Sequence, residues 1–336
     1  MDETSMTWFR LRQRRVSLLT KSKLSESAAR QKTFAAAMIQ FEELMKAAKI
    51  STCATRPLNL YYSLAQAGMA IAAARAPDPW SFNSHGLKVV DTRADLSDMQ
   101  VRTEGTGAFQ KVATATGSPG VAEPVSLGAL WASLPDLLGA QAPGSTAPIA
   151  LDLLGDLTSG VPRASLFVPA GMIEHGVDVP RRVYEIIAEY PGAAGAQIPV
   201  ERDAIQPPGS EGGRWLITLE WPSPNPALEM SQDEVRAFLD GIIPEYVYNE
   251  DRYLRPAIEH GLQPPSPLMT WWLLMFSFSI LARYQPRKWM ALLDLDRSEC
   301  AVPLEYALEI ALMALPRLVL EALDGHSLLL SKPLSV

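Results

Sequence analysis

The sequence predicts an α+β fold, with mainly helical terminal regions packed together and a strand-rich middle region. Three observations carry that expectation. First, Leu268 to Ala282 is a run of fifteen uncharged, mostly large apolar residues, too short for a bilayer span of ~20 residues and too long for an ordinary strand. A helix apolar on every side must be enclosed by other elements, so it calls for a sizeable core. Second, apolar residues recur at three- and four-residue spacing near both ends of the chain. Third, alternating, turn-bounded runs cluster between those ends.

Taken in order, residues 1–23 form a basic N-terminal arm in which Arg10, Arg12 and Arg14 alternate as in a strand, opposite Phe9 and Leu11. Ser25 to Ile50 reads as a helix with cap candidates at Ser25 and Ser27 and a stripe of Phe34, Met38, Phe41, Leu44, Met45 and Ala48. A second helix follows Pro57, a good first-turn residue. Its small Gly68 and Ala72 permit close helix approach, and Pro77-Asp78-Pro79 ends it. Residues 24–86 thus make a helical region.

Residues 87–221 change in character. Leu87 to Val90 and Met99 to Thr103 are strand candidates, and Gly105-Thr106-Gly107 reads as a turn into an alternating partner, Ala108 to Val112. Val125 to Leu138 suggests a short helix, and Gln141 to Pro148 a loop. Arg163 to Val168 is a strand candidate and Pro180 to Tyr190 a helix. Pro207 to Gly213 reads as a loop before the strand Arg214 to Trp221. Residues 222–336 are assigned to a helical C-terminal region packing on 24–86: the apolar helix to Pro286, a shorter one from Arg287 to Leu295, and a long one from Pro303 to Leu323 kinked at Pro316.

Composition sets outer bounds. Of 336 residues, 48% are apolar and 20% charged, which excludes a mostly disordered chain and allows two or three domains. The formal charge of −7 is uneven: residues 1–50 hold ten Lys/Arg against five Asp/Glu, a net +5, leaving −12 elsewhere. Arg10, Arg12, Arg14 and Arg15 are therefore candidates for contact with nucleic acid or an acidic partner. No aromatic interleaving accompanies them, so docking on the chain's own acidic body is the plainer expectation. The beginning of the chain lacks the apolar run of a secretory signal, and two cysteines, Cys53 and Cys300, suit a reducing compartment. A cytoplasmic location without membrane association is expected.

Catalytic signatures are sparse. No G-x-S-x-G elbow, CxxC pair, HExxH helix or Walker-A loop occurs. Arg255-Pro256-Ala257-Ile258-Glu259-His260 has the spacing of the R-x4-6-H motif of HEPN ribonucleases, in which His moves a proton and Arg steadies the phosphate. Against that chemistry, Pro256 confines any helix to its first turn and Gly261 stops it, and an ordinary surface loop explains the pattern as well. His85, beside Gly86 at a loop-to-strand junction, is an acid–base candidate or a turn residue. His175 lies near Glu174 and Asp178, without a recognised zinc spacing, so neither metal nor cofactor is expected. Tyr284 and the tryptophans Trp271, Trp272 and Trp289, with the arginine content around them, suit a core or an interface, core packing first.

Arg56-Pro57-Leu58-Asn59-Leu60-Tyr61-Tyr62-Ser63-Leu64, His85-Gly86-Leu87, Pro267 to Trp272 running on to Leu281-Ala282-Arg283-Tyr284, Trp289, and Val302 to Tyr306 together resemble the bacterial YaaC-like family. The resemblance spans Arg56 to about Leu323 and rests on helix-packing motifs. It implies an intracellular bacterial protein and carries over no catalytic residues. The expected function is an interaction or assembly component, binding another protein or a second copy, with nucleic acid as a further partner class. A defence-type multi-protein system is the setting expected from general context rather than from residues. The alternative is a metal-independent HEPN-like ribonuclease using Arg255 and His260. A third reading is a small-molecule enzyme using His85 in a pocket.

Overall fold

A computed structural model describes residues 3–20, 23–82, 84–156, 160–173, 177–201, 203–208, 213–223, 229–242, 247–248, 251–258 and 263–325. They carry ten α-helices and nine strands, helices at both ends and two antiparallel sheets between, an α+β fold. The chain divides into two compact units, residues 1–147 with 264–336, and residues 148–263.

The first unit contains α1 (Glu3–Ser17), α2 (Ala28–Ile50), α3 (Arg56–Arg75), β1 (Leu87–Val90), β2 (Gln100–Thr103), α4 (Ala108–Thr116), β3 (Val125–Ser126) and α5 (Leu127–Ala132). The second contributes β4 (Leu151–Asp156), β5 (Arg163–Pro169), α6 (Val179–Ile187), β6 (Ile205–Gln206), β7 (Arg214–Glu220), α7 (Gln232–Ile242), β8 (Val247–Tyr248) and β9 (Asp251–Leu254). The chain then returns to the first unit with α8 (Pro267–Tyr284), α9 (Pro286–Leu292) and α10 (Ala301–Asp324).

Helix α8 is the apolar run, and its neighbours explain its composition. It packs against α3, α4, α5, α9, α10 and β1, so no side faces water for long. Trp271, Leu273, Leu274 and Phe278 are fully buried, and Trp272 nearly so. Three hydroxyls inside this apolar helix are satisfied by nearby backbone: Thr270 donates to Pro265 O just before the helix, and Ser277 to Leu273 O and Ser279 to Phe276 O within it. Close approach of α3 depends on Gly68, where a Cβ would stand 2.3 Å from the Trp272 ring.

Helix ends in this unit are closed by buried cations. The Arg30 guanidinium, 3% exposed, donates to Ala73 O and Ala76 O at the end of α3 and to Asp78. Arg56 does the same for α2 through Ala48 O and Ser51 O. Both satisfy carbonyls that a helix end leaves without intrahelical partners. Ser27 caps α2, its hydroxyl accepting from the Arg30 amide.

In the second unit the sheet order is β6-β7-β5-β4-β9-β8. Ala164, Leu166 and Val168 of β5 point inward with Ile217 and Leu219 of β7. Val183, Ile186 and Ile187 of α6, with Val235 and Leu239 of α7, join the same core. Helices therefore cover one face of an antiparallel sheet, the arrangement its alternation favours.

Four local readings need correction. The arm expected to alternate as a strand is helix α1, because burial of Thr7 and Leu11 follows a four-residue step and seats it against α10. Ala108 to Val112 is the start of α4, not a hairpin partner. Phe109, Val112 and Ala113 share a buried helical face, and β1 pairs with β2 instead. Val125 to Leu138 begins with strand β3 before α5 and a 3-10 turn at Pro135–Leu137. Residues 222–263, read as the start of the helical C-terminal region, carry α7, β8 and β9. Helix α10 runs on through Pro316.

Candidate interaction face

Those of the singled-out residues that the structure describes fall in both units. Arg255 belongs to the second unit, just after β9, in non-helical chain and only 5% exposed. Its motif partner His260 lies outside the described residues, as do His175 and much of the Pro207–Gly213 loop. Arg10, Arg12, Arg14 and Arg15 are carried on α1 in the first unit. Arg12 donates to Glu42 at 2.6 Å, and Arg14 pairs with the nearly buried Asp324. Two of the four basic candidates are thus engaged by carboxylates of their own unit.

His85 is exposed, just before β1. Its Nδ1 accepts from the Leu87 amide at 3.2 Å, and its ring centroid is 5.0 Å from that of Phe276. Gly86 behind it adopts φ +76°, a left-handed conformation that suits glycine. There the loop is pinned by Gln110, whose amide donates to Gly86 O and whose oxygen accepts from Gly107 N–H.

Phe276 links His85 to a group that local sequence reading did not assemble. Tyr61 of α3 packs on Phe276 with centroids 5.4 Å apart, and Tyr62 follows at 5.5 Å from Tyr61. Over these rings lies Arg283, from the last turn of α8. Its guanidinium carbon is 5.9, 5.7 and 5.2 Å from the ring centres of Tyr61, Tyr62 and Tyr284. It donates to the Tyr62 hydroxyl at 3.0 Å and to Ser279 O at 3.3 Å. Among the described residues no carboxylate pairs with it. Burial pushes the Tyr61 phenol up to about 12, against the pull of Arg283, so Tyr61 stays neutral and acts as a floor. Tyr62 and Tyr284 are 45% and 66% exposed.

The arrangement presents a fixed cation on an aromatic bed, with His85 at its edge. Tyr and Arg are among the residues that dominate binding energy at protein interfaces. Sequence offered one sign of it, Tyr284 as a core or interface residue. Arg283 lies 221 positions from Tyr62, and only the α3–α8 contact joins them.

Other chemistry is poorly provided. Burial pushes both the Cys53 and Cys300 thiols up, which disfavours thiolate. No group of three His, Cys, Asp or Glu side chains able to hold a metal occurs among the described residues. Also among them, no helix is long and apolar enough to cross a membrane.

A family model described as YaaC-like protein matches residues 5–323. No curated protein and no solved structure matches the chain.

Proposed function

The chain belongs to the YaaC-like family, and from that premise we propose that it serves as an intracellular interaction or assembly component, docking another protein on the Tyr62–Arg283–Tyr284 face. One observation carries the reading. Arg283 is held by three tyrosine rings and its own helix, with no carboxylate of the described residues to neutralise it. A preorganised cation in a partly dry aromatic setting gains most from a carboxylate supplied by a partner, since little side-chain entropy is left to lose. The free thiols of Cys53 and Cys300 fit a reducing compartment.

Photo-crosslinking from position 284 in cells tests this. A discrete adduct is expected that is missing when the probe sits at Leu295, an equally exposed residue, and that is lost with Arg283→Glu. Identical adducts from both positions, or persistence with Arg283→Glu, would remove the face from consideration. The ribonuclease reading is measured on single-stranded RNA with wild type, Arg255→Ala and His260→Ala. Cleavage abolished by both substitutions would rank it first. Burial of Arg255 favours the docking reading, because a guanidinium at 5% exposure offers little to a phosphate.

A further inference from the structure

A second surface in the first unit has different chemistry. Helices α1, α2 and α10 enclose a half-open groove of about 790 Å³. Its floor is Trp8, Phe9, Met45, Leu312 and Met313. Phe9 and Met313 remain 49% and 54% exposed, a large apolar exposure in one place. The walls are fixed rather than loose. Leu11 is buried, Trp8 packs on Phe41 at 5.4 Å, and Arg12 is tied to Glu42.

One cation at the rim is left without a counter-ion among the described residues. Arg12, Lys46 and Lys49 line that rim with Glu42 and Glu309. Arg12 pairs with Glu42, Lys46 with both Glu42 and Glu43, and Glu309 with Arg56. Lys49 is exposed and has no ion-pair partner among the described residues.

We infer that this groove seats the apolar face of an acidic amphipathic helix from a partner protein. The α1 wall from Thr4 to Arg12 spans ~12 Å at ~1.5 Å per residue, so it matches about two turns of an incoming helix. Docked there, that helix packs beside α1, α2 and α10 as a fourth member. Methionine and aromatic side chains are the adaptable lining that helix-binding grooves use. A half-open trough suits a helix with one apolar face better than a small amphiphile, whose tail needs cover on all sides. Carboxylates flanking the apolar stripe then meet Lys49. The inference stands independently of the Tyr62–Arg283–Tyr284 face.

The experiment is selection of displayed helical peptides, with apolar residues fixed at i, i+3, i+4 and i+7 and other positions random, against the full chain. Selected peptides should carry Asp or Glu beside the apolar stripe. Their binding should weaken by ~10-fold or more with Lys49→Glu and with Phe9→Ser, and stay unchanged with Arg283→Glu. Replacing the acidic positions of a selected peptide by Lys should restore binding to the Lys49→Glu variant. Failure to select above a scrambled library would overturn the inference, as would selection of basic peptides or indifference to Lys49→Glu. Saturable binding of decanoate in the groove with no peptide selected would assign it to a small amphiphile instead, and overturns it equally.

Discussion

The two units bury their cores in opposite ways, and the contrast explains which parts of the chain declare themselves in sequence. The first is built around α8, a helix without a polar side, whose aromatic rings meet neighbours from several helices: Trp272 with Phe109, Phe278 with Trp131 and Trp289. The second is an amphipathic sheet whose inward residues are mostly Ala, Leu, Ile and Val, covered on one face by α6 and α7. An all-round helix leaves its neighbours no freedom of register, while a half-covered sheet keeps one face for water. Substitutions should therefore be felt more sharply in the first unit.

The largest effect is expected from Phe278→Ala, which removes a fully buried ring at the centre of a stack and should cost ~3–5 kcal/mol. Hydrogen exchange should show α3, α8 and α9 losing protection together. If exchange rises only locally in α8, the central role given to this helix is wrong. In the sheet, Leu166→Ala removes a side chain that is equally buried but smaller, for ~2–5 kcal/mol. Loss of protection should be concentrated in β4, β5 and β7, and a uniform loss over both units would erase the comparison.

Gly68→Ala adds one methyl group where α3 meets Trp272, and the ring must move to admit it. Such overpacking costs ~1–3 kcal/mol, measurable by urea denaturation. A neutral result would show that the α3–α8 contact is looser than its geometry.

The smallest effect is a pH dependence. The hydrogen bond from Arg12, ahead of other causes, holds the Glu42 carboxyl below its ordinary value. A depressed carboxylate contributes stability above its unfolded pKa, ~4.3, and loses it as pH falls through the lower folded value. Arg12 is exposed, so the contribution should be well under ~1 kcal/mol. Arg12→Gln should shrink the stability gap between neutral and strongly acidic solution, and an unchanged gap would show that Arg12 does not anchor α1.

The same contrast decides how much was legible in advance. Helices α2, α3, α8 and α10 carry long apolar stripes with Ser27, Pro57 and Pro267 at their starts, signals that survive without tertiary context. Strands β8 and β9, of two and four residues, escape recognition because each is short and takes its meaning from the neighbour it pairs with. The misread segments are instructive in another way. Arg10, Arg12 and Arg14 recur at two-residue spacing by accident of charge, whereas the buried pair Thr7 and Leu11 reports the true period. In α4 the glycines before Ala108 suggested a hairpin, yet Phe109, Val112 and Ala113 already stood at helical spacing. The candidate face was the least legible feature. Tyr62 and Arg283 are unremarkable alone, and their meaning comes from the packing of α3 on α8.

The most direct test of the docking reading is the dissociation constant of the crosslinked partner, once isolated, for wild type and Arg283→Glu, with thermal unfolding followed alongside. Arg283 ends α8 in a partly exposed position. Glu there loses the tyrosine contacts and meets the negative end of the helix, so the melting temperature should fall by a few degrees while the folded protein loses ~30-fold or more in affinity, the ~2 kcal/mol of an interface hot spot. Equal affinities for the two folded proteins would contradict the assignment of this face to partner binding.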